Sequence, residues 1–251
     1  MSVKFIQNKG SFQILHITRN PLNLIERCGR TAYQSQDKMT THSAAKFVRT
    51  LIERGHESVL EHATMTVQFN NVSRGFTHEL VRHRLCSFTQ ESTRYVNESN
   101  FTFIRPPGLR DCETEMDMQT ITEALQDTEA AYYELTQKGW PAQDARQLLP
   151  IGIKSQIVIT ANFRQWRHIF QLRTAQSAHW EIRRVMVMLL ATVRNNIVPI
   201  VFDDIHPQFT KREAEDWDWK ILRSNPSTGL VDVNVTPLGD IEEIICLPVK
   251  E

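Results

Sequence analysis

The residues best suited to chemistry form one short segment, Arg82-His83-Arg84, followed after seven residues by Ser92 and then by Arg94. Three adjacent residues of a helix point in three directions, so these three basic residues do not form a single solvated stripe. They are better explained as the end of an element that enters a polar site. Two guanidinium groups and an imidazole suit a phosphate, a pyrophosphate or an anionic ring.

A second segment, residues 54–62, contains two histidines and two glutamates within seven positions, which could bind a metal ion. The spacing does not match His-Glu-x-x-His, because Leu60 stands where the second histidine belongs. The reversed pattern His-x-x-Glu-His also fails, because Ser58 stands where its first histidine belongs. We therefore predict no metal site. A helix end with solvated charges is the alternative interpretation of this segment.

Two later segments also carry cations at suggestive positions. Arg146 lies in Ala-Arg-Gln-Leu-Leu-Pro, and Arg164 and His168 fall along one side of a predicted helix that also carries Arg173. Taken alone, a single arginine on a helix is usually a surface charge. An Arg-x-x-x-His spacing is likewise unspecific, because residues four apart on any helix are neighbours.

The pattern Arg-His-Arg, seven residues, Ser resembles the signature of the flavin-dependent thymidylate synthases, the ThyX family. Other motifs similar to those of the family occur in the same order along the chain. Gly-His-Glu-Ser-x-x-Glu-His precedes the signature, while Ala-Arg-x-x-Leu-Pro and Asn-x-Arg…His…Leu-Arg follow it. The resemblance covers about residues 20–200 in scattered motifs.

This resemblance implies a role for each matching residue. Contacts to FAD are implied for His56, Ser58, Glu61, Arg82, His83, Arg84, Leu85, Asn162, Arg164 and His168. Contacts to the substrate dUMP are implied for Glu79, Arg82, Gln90, Glu91, Ser92, Thr93, Arg94, Arg146 and Arg173. Among these residues, Arg173 and Ser92 are expected to take part in catalysis.

The implied activity is the flavin-dependent reductive methylation of dUMP to dTMP, a step of de novo thymidylate synthesis. Methylenetetrahydrofolate would give the carbon unit and NADPH the reducing equivalents. The flavin carries the redox chemistry, whereas the protein positions the ligands and stabilises developing charge. The resemblance also implies a homotetramer with active sites shared between subunits.

Composition favours a protein that binds small ligands. Lys plus Arg and Asp plus Glu each total 29, and a net charge of zero argues against a nucleic-acid coat or a membrane-surface protein. The four cysteines form no Cys-x-x-Cys pair, and a reducing cytoplasm is expected. Two rivals remain open: a nucleic-acid-binding module that uses the same arginine clusters, and a thiol-dependent methyltransferase. The thiol of the second rival would be Cys86, whose thiolate the nearby arginines would favour.

Predicted strands followed by many helices suggest an α+β fold in one domain. The family resemblance implies a small, mostly antiparallel sheet and several long helices in a single ThyX-like catalytic domain over residues 1–251. The predicted strands are Val3–Ile6, Phe12–Ile17, 65–69, Phe101–Ile104 and Ile157–Ala161. The predicted helices are Pro21–Arg30, one capped by Thr41 or Ser43 and ended by Gly55, one from Ser73 into the signature, 115–138, 141–150, and a long one from Asn162 to about Asn195. Residues 85–100 are expected to form an ordered loop, and the tail at about 205–251 has no assigned role.

Overall fold

The computed structural model describes residues 4–6, 10–94, 101–107, 115–208 and 244–246. Its strands are β1 (Lys4–Ile6), β2 (Ser11–Ile17), β3 (Thr64–Ser73), β4 (Ser87–Gln90), β5 (Thr102–Ile104), β6 (Lys154–Asn162) and β7 (Ile244–Cys246). Its helices are α1 (Pro21–Thr31), α2 (Ser43–Glu53), α3 (Arg74–Leu80), α4 (Glu115–Gln137), α5 (Ala142–Ala145), α6 (Phe163–Arg173), α7 (Trp180–Thr192) and α8 (Pro199–Phe202). Strands β1 and β5 pair in parallel, and the larger sheet has the order β4-β6-β3-β2-β7, with β7 antiparallel to β2. The predicted α+β class is confirmed.

The chain divides into two compact units. The first unit comprises Met1–Gly10, Phe69–Arg82 and Thr89–Ile157, and the second comprises Ser11–Gln68, His83–Phe88 and Val158–Glu251. The single catalytic domain over residues 1–251 stays a prediction. Most of the predicted tail, residues 209–243 and 247–251, lies outside the described residues.

The core of the first unit forms where β5 meets α4. Phe101 and Phe103 are buried, and the Phe101 ring lies 5.5 Å from that of the buried Tyr132. Leu125, Tyr132 and Leu135 recur at helical spacing, so one face of α4 covers this cluster. Ile153 joins the same cluster, and the cluster therefore anchors both ends of the segment 145–153 that carries Arg146.

The core of the second unit forms between β3, α6 and α7. Met65 and Val67 alternate with half-buried threonines on β3, as a strand with one buried face requires. Trp166 is fully buried, and its indole Nε1 donates to the carbonyl of Met65 at 3.0 Å. Because its one polar atom is satisfied there, Trp166 fixes α6 against β3 without an unpaired donor.

The helix start predicted at Ser73 and the cap predicted at Asn162 are confirmed, and the cap predicted at Thr41 or Ser43 is wrong. Ser73 Oγ accepts from the N–H of Phe76 at 3.0 Å, and Asn162 Oδ1 accepts from the N–H of Gln165 at 2.8 Å. Helix α2 has no side-chain cap, since neither Thr41 nor Ser43 plays that part. The Ser43 hydroxyl instead donates to the buried carboxylate of Glu26 at 2.9 Å.

Three other secondary-structure predictions are wrong: the long helix from Asn162, the loop 85–100 and the helix 141–150. The long helix to Asn195 is interrupted, since α6 ends at Arg173 and α7 begins only at Trp180. Thr174 donates its hydroxyl to the carbonyl of Phe170, the kind of local bond that competes with helix continuation. The predicted loop 85–100 contains β4, which lies next to β6 in the sheet.

The helix predicted over 141–150 is also too long. Pro141 precedes the four-residue helix α5 as its N-cap, and a single 3₁₀ turn, Arg146–Leu148, follows it. Leu149 is extended, with φ −68° and ψ 121°, because the residue before a proline avoids the helical region.

Candidate active site

In the first unit, the residues after β4 are held against helix α3. Gln90 Nε2 donates to Thr77 Oγ1 at 2.7 Å, and Arg74 Nη1 donates to the carbonyl of Glu91 at 3.1 Å. These two bonds hold the adjacent residues Gln90 and Glu91, where β4 ends, and so fix the direction of the loop that follows. This loop carries the predicted substrate residues Ser92, Thr93 and Arg94.

A glutamine connects two of the predicted substrate arginines. Arg94 Nη2 donates to Gln143 Oε1 at 3.3 Å, and Arg146 Nε donates to the carbonyl of Gln143 at 3.2 Å. The Ser92 hydroxyl accepts from the N–H of Arg94 at 3.3 Å, which keeps the serine beside the same arginine. Residues far apart in sequence, 92–94 and 146, are therefore brought together within the first unit.

The first-unit cavity has a volume of about 420 Å³, within the range of small-ligand sites. Its polar lining residues are Arg74, His78, Arg146, Gln147 and the buried Thr93. Its apolar lining residues are Leu149, Pro150, Ile151 and Ile153. A cavity lined by both guanidinium groups and apolar side chains suits a small anion that has a flat ring.

Arg74 and His78 were not among the predicted site residues. Counting back from Arg82 in steps of four gives positions 78 and 74, so helical spacing could have found them. Of the predicted substrate residues, Thr93 and Arg146 line this cavity. The others are not part of its lining: Glu79, Arg82, Gln90, Glu91, Ser92, Arg94 and Arg173. Glu79 is half-buried on α3, and Arg82 is exposed just after the helix ends.

The second-unit cavity is larger, about 930 Å³. Five of the residues expected to contact FAD line it: Glu61, Leu85, Asn162, Arg164 and His168. The other expected contacts in this unit, His56, Ser58, His83 and Arg84, are not part of the lining. Residues that sequence reasoning missed complete the wall: Glu57, Thr64, Cys86, Ser87, Thr160, Ala161, Gln165 and Gln171.

The wall of this cavity includes the N-terminal turn of α6. Asn162 caps the helix there, and Arg164 Nη1 lies 2.6 Å from Glu61 Oε1. Both side chains of this ion pair are about half exposed, 53% for Arg164 and 44% for Glu61. An eleven-residue helix presents partial positive charge at its N-terminus, so this part of the wall can accept an anionic group.

Glu57 is held by a buried arginine that sequence reasoning did not single out. Arg167, only 3% exposed, donates from Nε to Glu57 at 3.1 Å and from both terminal nitrogens to Asp204 at 2.6 and 2.7 Å. Burial alone would lower the pKa of Arg167, but Asp204 and then Glu57 raise it above its usual value. The available signal was a charged residue within the apolar stripe Phe163, Trp166 and Phe170.

Cys86 lines the second-unit cavity, but it does not form a ready thiolate. Burial raises the pKa of its thiol to about 11, against the smaller lowering effect of a hydrogen bond with Gln165. The thiol is therefore protonated at neutral pH. The expectation that nearby arginines favour the thiolate is wrong, because burial of the sulfur outweighs them.

Two further observations concern metal binding and membrane-spanning helices. Over the part of the chain that the structure describes, no cluster of three or more His, Cys, Asp or Glu is arranged to hold a metal ion. Within those same residues, no helix has both the length and the apolar character needed to cross a membrane.

Known proteins with similar sequences and folds lead to one family. The family model described as thymidylate synthase complementing protein matches residues 13–200. The flavin-dependent thymidylate synthase of Mycolicibacterium vanbaalenii is 38% identical over 198 residues, which cover 72% of this chain and 78% of that protein. The enzyme of the same name from Pyrococcus abyssi is 35% identical over 200 residues, 75% of this chain and 81% of that protein.

Similarity of structure extends the comparison. A UMP/dUMP methylase from Streptomyces cacaoi has a TM-score of 0.68 at 22% identity, over 80% of this chain and 96% of that one, and therefore shares the fold. The resemblance seen in the sequence motifs is thus confirmed, and with it a flavin as the cofactor of the family. The chain belongs to the family of the flavin-dependent thymidylate synthases.

Proposed function

We propose that this protein methylates dUMP to dTMP, with FAD as its flavin, methylenetetrahydrofolate as carbon donor and NADPH as reductant. The observation that carries the proposal is the cation-lined cavity of the first unit, on a chain whose residues 13–200 match the family. The Streptomyces cacaoi methylase, which has the same fold, is described as bound with 5-bromo-dUMP. A pyrimidine mononucleotide has the chemistry that the first-unit cavity suits.

The first unit supplies most of the proposed nucleotide contacts. Arg146, Leu149 and Ile151 line the same cavity, so a pyrimidine ring can lie on apolar atoms while a guanidinium meets its oxygens. The Ser92 hydroxyl and Arg94 would take the phosphate, because a hydroxyl and a guanidinium form strong charge-assisted hydrogen bonds to it. Gln143 keeps Arg94 and Arg146 oriented before the ligand arrives, which lowers the cost of binding.

The cations also have a chemical part to play. Fixed positive charge near the ring oxygens of uracil would stabilise negative charge that develops when the ring carbon attacks the carbon unit. No covalent bond to the enzyme is needed for this activation. The neutral Cys86 thiol supports that interpretation and disfavours the thiol-dependent rival.

The second-unit cavity fits a flavin by size and by the chemistry of its wall. Its volume of about 930 Å³ is at the upper end for ligand sites, as a dinucleotide requires. Arg164 and the capped N-terminus of α6 would hold phosphate, while His168 and Gln171 offer polar groups to the ring or the ribose. The flavin, when bound, supplies hydride transfer, which no side chain of the protein can provide.

Assembly and location are part of the same proposal. A homotetramer with active sites shared between subunits, in the cytoplasm, is what the family resemblance implies. The contribution of Arg173, a residue of the second unit, to dUMP binding rests on the same resemblance.

The spectrum of the purified protein tests this function most directly. We expect flavin absorbance, release of FAD rather than FMN on denaturation, and bleaching by NADPH under anaerobic conditions. Addition of dUMP and methylenetetrahydrofolate should then give dTMP. A colourless protein that binds no flavin on titration would refute the proposal, whereas FMN in place of FAD would correct only the cofactor.

A further inference from the structure

The second-unit cavity is lined in part by hydroxyl groups that the proposed function does not use. Thr64, Ser87 and Thr160 line this cavity, and they lie on β3, β4 and β6. Strand β6 lies between β4 and β3 in the larger sheet, so Thr160 is on the middle one of these three strands. Its neighbours along the strand, Ile159 and Ala161, are buried on the opposite face, as the two-residue period of a strand requires.

Thr160 is held by a hydrogen bond to a residue of β3. Its Oγ1 lies 2.9 Å from Oγ1 of Thr66, which is not part of the cavity lining. The two residues are 94 apart in sequence, and both are half-buried. A threonine hydroxyl has one hydrogen and two lone pairs, and the bond between two hydroxyls uses only one of their two hydrogens. The pair therefore has donor and acceptor capacity beyond this bond, and Thr160 is the member that a ligand in the cavity can reach.

Either oxygen of the pair can be the donor, which gives Thr160 two ways to bind a ligand. When Thr66 donates to Thr160, the Thr160 hydroxyl can donate its own hydrogen to a ligand. When Thr160 donates to Thr66, a lone pair of Thr160 can accept from a ligand. In the ion pair of the same cavity, Arg164 can only donate and the carboxylate of Glu61 can only accept. The ligand group that matches the Thr160 hydroxyl is one that also donates and accepts, such as a hydroxyl of a sugar or a polyol.

The position of Thr160 along β6 determines which part of a flavin cofactor it can meet. Asn162, the N-cap of α6, is two residues further along the strand and on the same face. Two residues of a strand span about 7 Å, so Thr160 lies at about that distance from the helix N-terminus proposed to hold the flavin phosphate. In FAD, the diphosphate is flanked by the ribityl chain on one side and by the ribose of adenosine on the other, and both carry hydroxyl groups.

We propose that Thr160, oriented by Thr66, binds a sugar-type hydroxyl of the flavin cofactor next to its diphosphate. This inference rests on the proposed function, because it takes FAD as the ligand of the second-unit cavity and the N-terminus of α6 as its phosphate site. It adds a specific contact to the site, since neither threonine is among the residues for which the family resemblance implies a role.

Variants of Thr160 separate the hydroxyl from the shape of the side chain. Thr160→Val keeps the branched shape but has no hydroxyl, and the loss of one neutral hydrogen bond should weaken FAD binding by about threefold to tenfold. Thr160→Ser retains the hydroxyl and should bind FAD within about twofold of the wild type. If Thr160→Val does not fold, Thr160→Ala and Thr160→Ser decide the matter, because these two side chains differ in the hydroxyl alone.

The matched control is Thr66→Val, which removes the other hydroxyl of the pair, the one outside the cavity lining. We expect it to weaken FAD binding less than Thr160→Val does, because it affects the orientation of the contact and not the contact itself. Added to Thr160→Val, it should cause no further loss of affinity, since residues that act through one another are not additive.

Calorimetric titration of the full-chain apoprotein with FAD measures these affinities, and urea unfolding measures the stability of each variant. Titration with FMN and with ADP identifies the hydroxyl. FMN carries the ribityl chain, whereas ADP carries the ribose of adenosine. A loss of affinity in Thr160→Val for FMN assigns the contact to the ribityl chain, and a loss for ADP assigns it to the ribose.

Wild-type affinity of Thr160→Val for all three ligands would overturn the inference. A Thr160→Ser variant that binds FAD as weakly as Thr160→Val would also overturn it, as would a larger loss in Thr66→Val than in Thr160→Val. Additive losses in the double variant would refute the orienting role of Thr66. Failure of the proposed function gives a different result, in which the wild type itself binds no FAD.

Discussion

Arg164 and Arg167 are three residues apart on α6, and each contacts a carboxylate of the same 3₁₀ segment, Glu57–His62. Arg164 forms one ion pair with Glu61, at the cavity wall and about half exposed to solvent. Arg167 is buried and contacts Glu57, both oxygens of Asp204 and the carbonyl of Val201. Arg164, which a ligand can reach, therefore makes fewer contacts than the buried Arg167.

This difference shows that the ion-pair distance does not measure what an arginine contributes. The Arg164–Glu61 ion pair is as short as the shorter ion pair of Arg167, but solvent screens it and either partner can exchange it for a ligand. The Arg167 cluster cannot be opened without leaving charge in a desolvated place. Both carboxylates of the 3₁₀ segment line the second-unit cavity, but Glu57 is held by a buried arginine and Glu61 by one that a ligand can reach.

Replacement of Arg167 should have the largest effect on stability. We expect Arg167→Met to lower the free energy of unfolding by about 3 kcal/mol, because it leaves two carboxylates without their buried partner. Both carboxylates are partly exposed and can regain some hydration, which keeps the loss near the lower end for such clusters. Urea unfolding followed by tryptophan fluorescence measures the change.

The matched control for that experiment is Arg164→Met on the same helix. Its exposed ion pair should contribute no more than about 1 kcal/mol. Equal losses of stability in the two variants would contradict the distinction between anchor and ligand contact.

Removal of Arg164 should instead affect the flavin. In Arg164→Ala, loss of a charge-assisted contact to an anionic group should weaken FAD binding by about 10- to 100-fold, with little change in unfolding. Fluorescence titration of FAD into the apoprotein measures the affinity. Arg49→Ala is a suitable control, because Arg49 forms a similarly exposed ion pair with Asp203 at 2.7 Å but does not line the cavity. An unchanged FAD affinity in Arg164→Ala would contradict the proposal that the flavin phosphate binds at the N-terminus of α6.

The smallest expected effect is a dependence of stability on acid pH. The hydrogen bond from Arg167 lowers the pKa of Asp204 in the folded chain, so the unfolded chain takes up this proton first. The contribution of Asp204 is thus complete above its unfolded pKa of about 3.9, and it declines as the pH falls through the lower folded value. The stability difference between wild type and Asp204→Asn should therefore shrink on acidification below about pH 5.

Asp203→Asn provides the comparison for this titration. Its partner Arg49 is exposed, so its effect on stability should be small at every pH. A difference between wild type and Asp204→Asn that stays constant down to pH 3 would show that Asp204 does not depend on Arg167.

The sequence by itself determined those features that depend on neighbours along the chain. The caps Ser73 and Asn162 follow from residue type next to an apolar periodic run, and helices α1 and α4 follow from their own spacing. The family followed from motifs whose order and spacing are properties of the sequence alone. Strand β4 was missed, because a four-residue strand depends on its neighbours in the sheet more than on its own residues.

Only the tertiary structure decided what each cation contacts. His83 and Arg173 are 90 residues apart, and Glu57 and Arg167 are 110 apart, so no local pattern could pair them. Folding alone separates a buried Arg167, which pairs with two carboxylates, from an Arg173 that donates to an imidazole. Burial likewise set the Cys86 thiol to its protonated form, since desolvation depends on packing and not on the identity of adjacent residues.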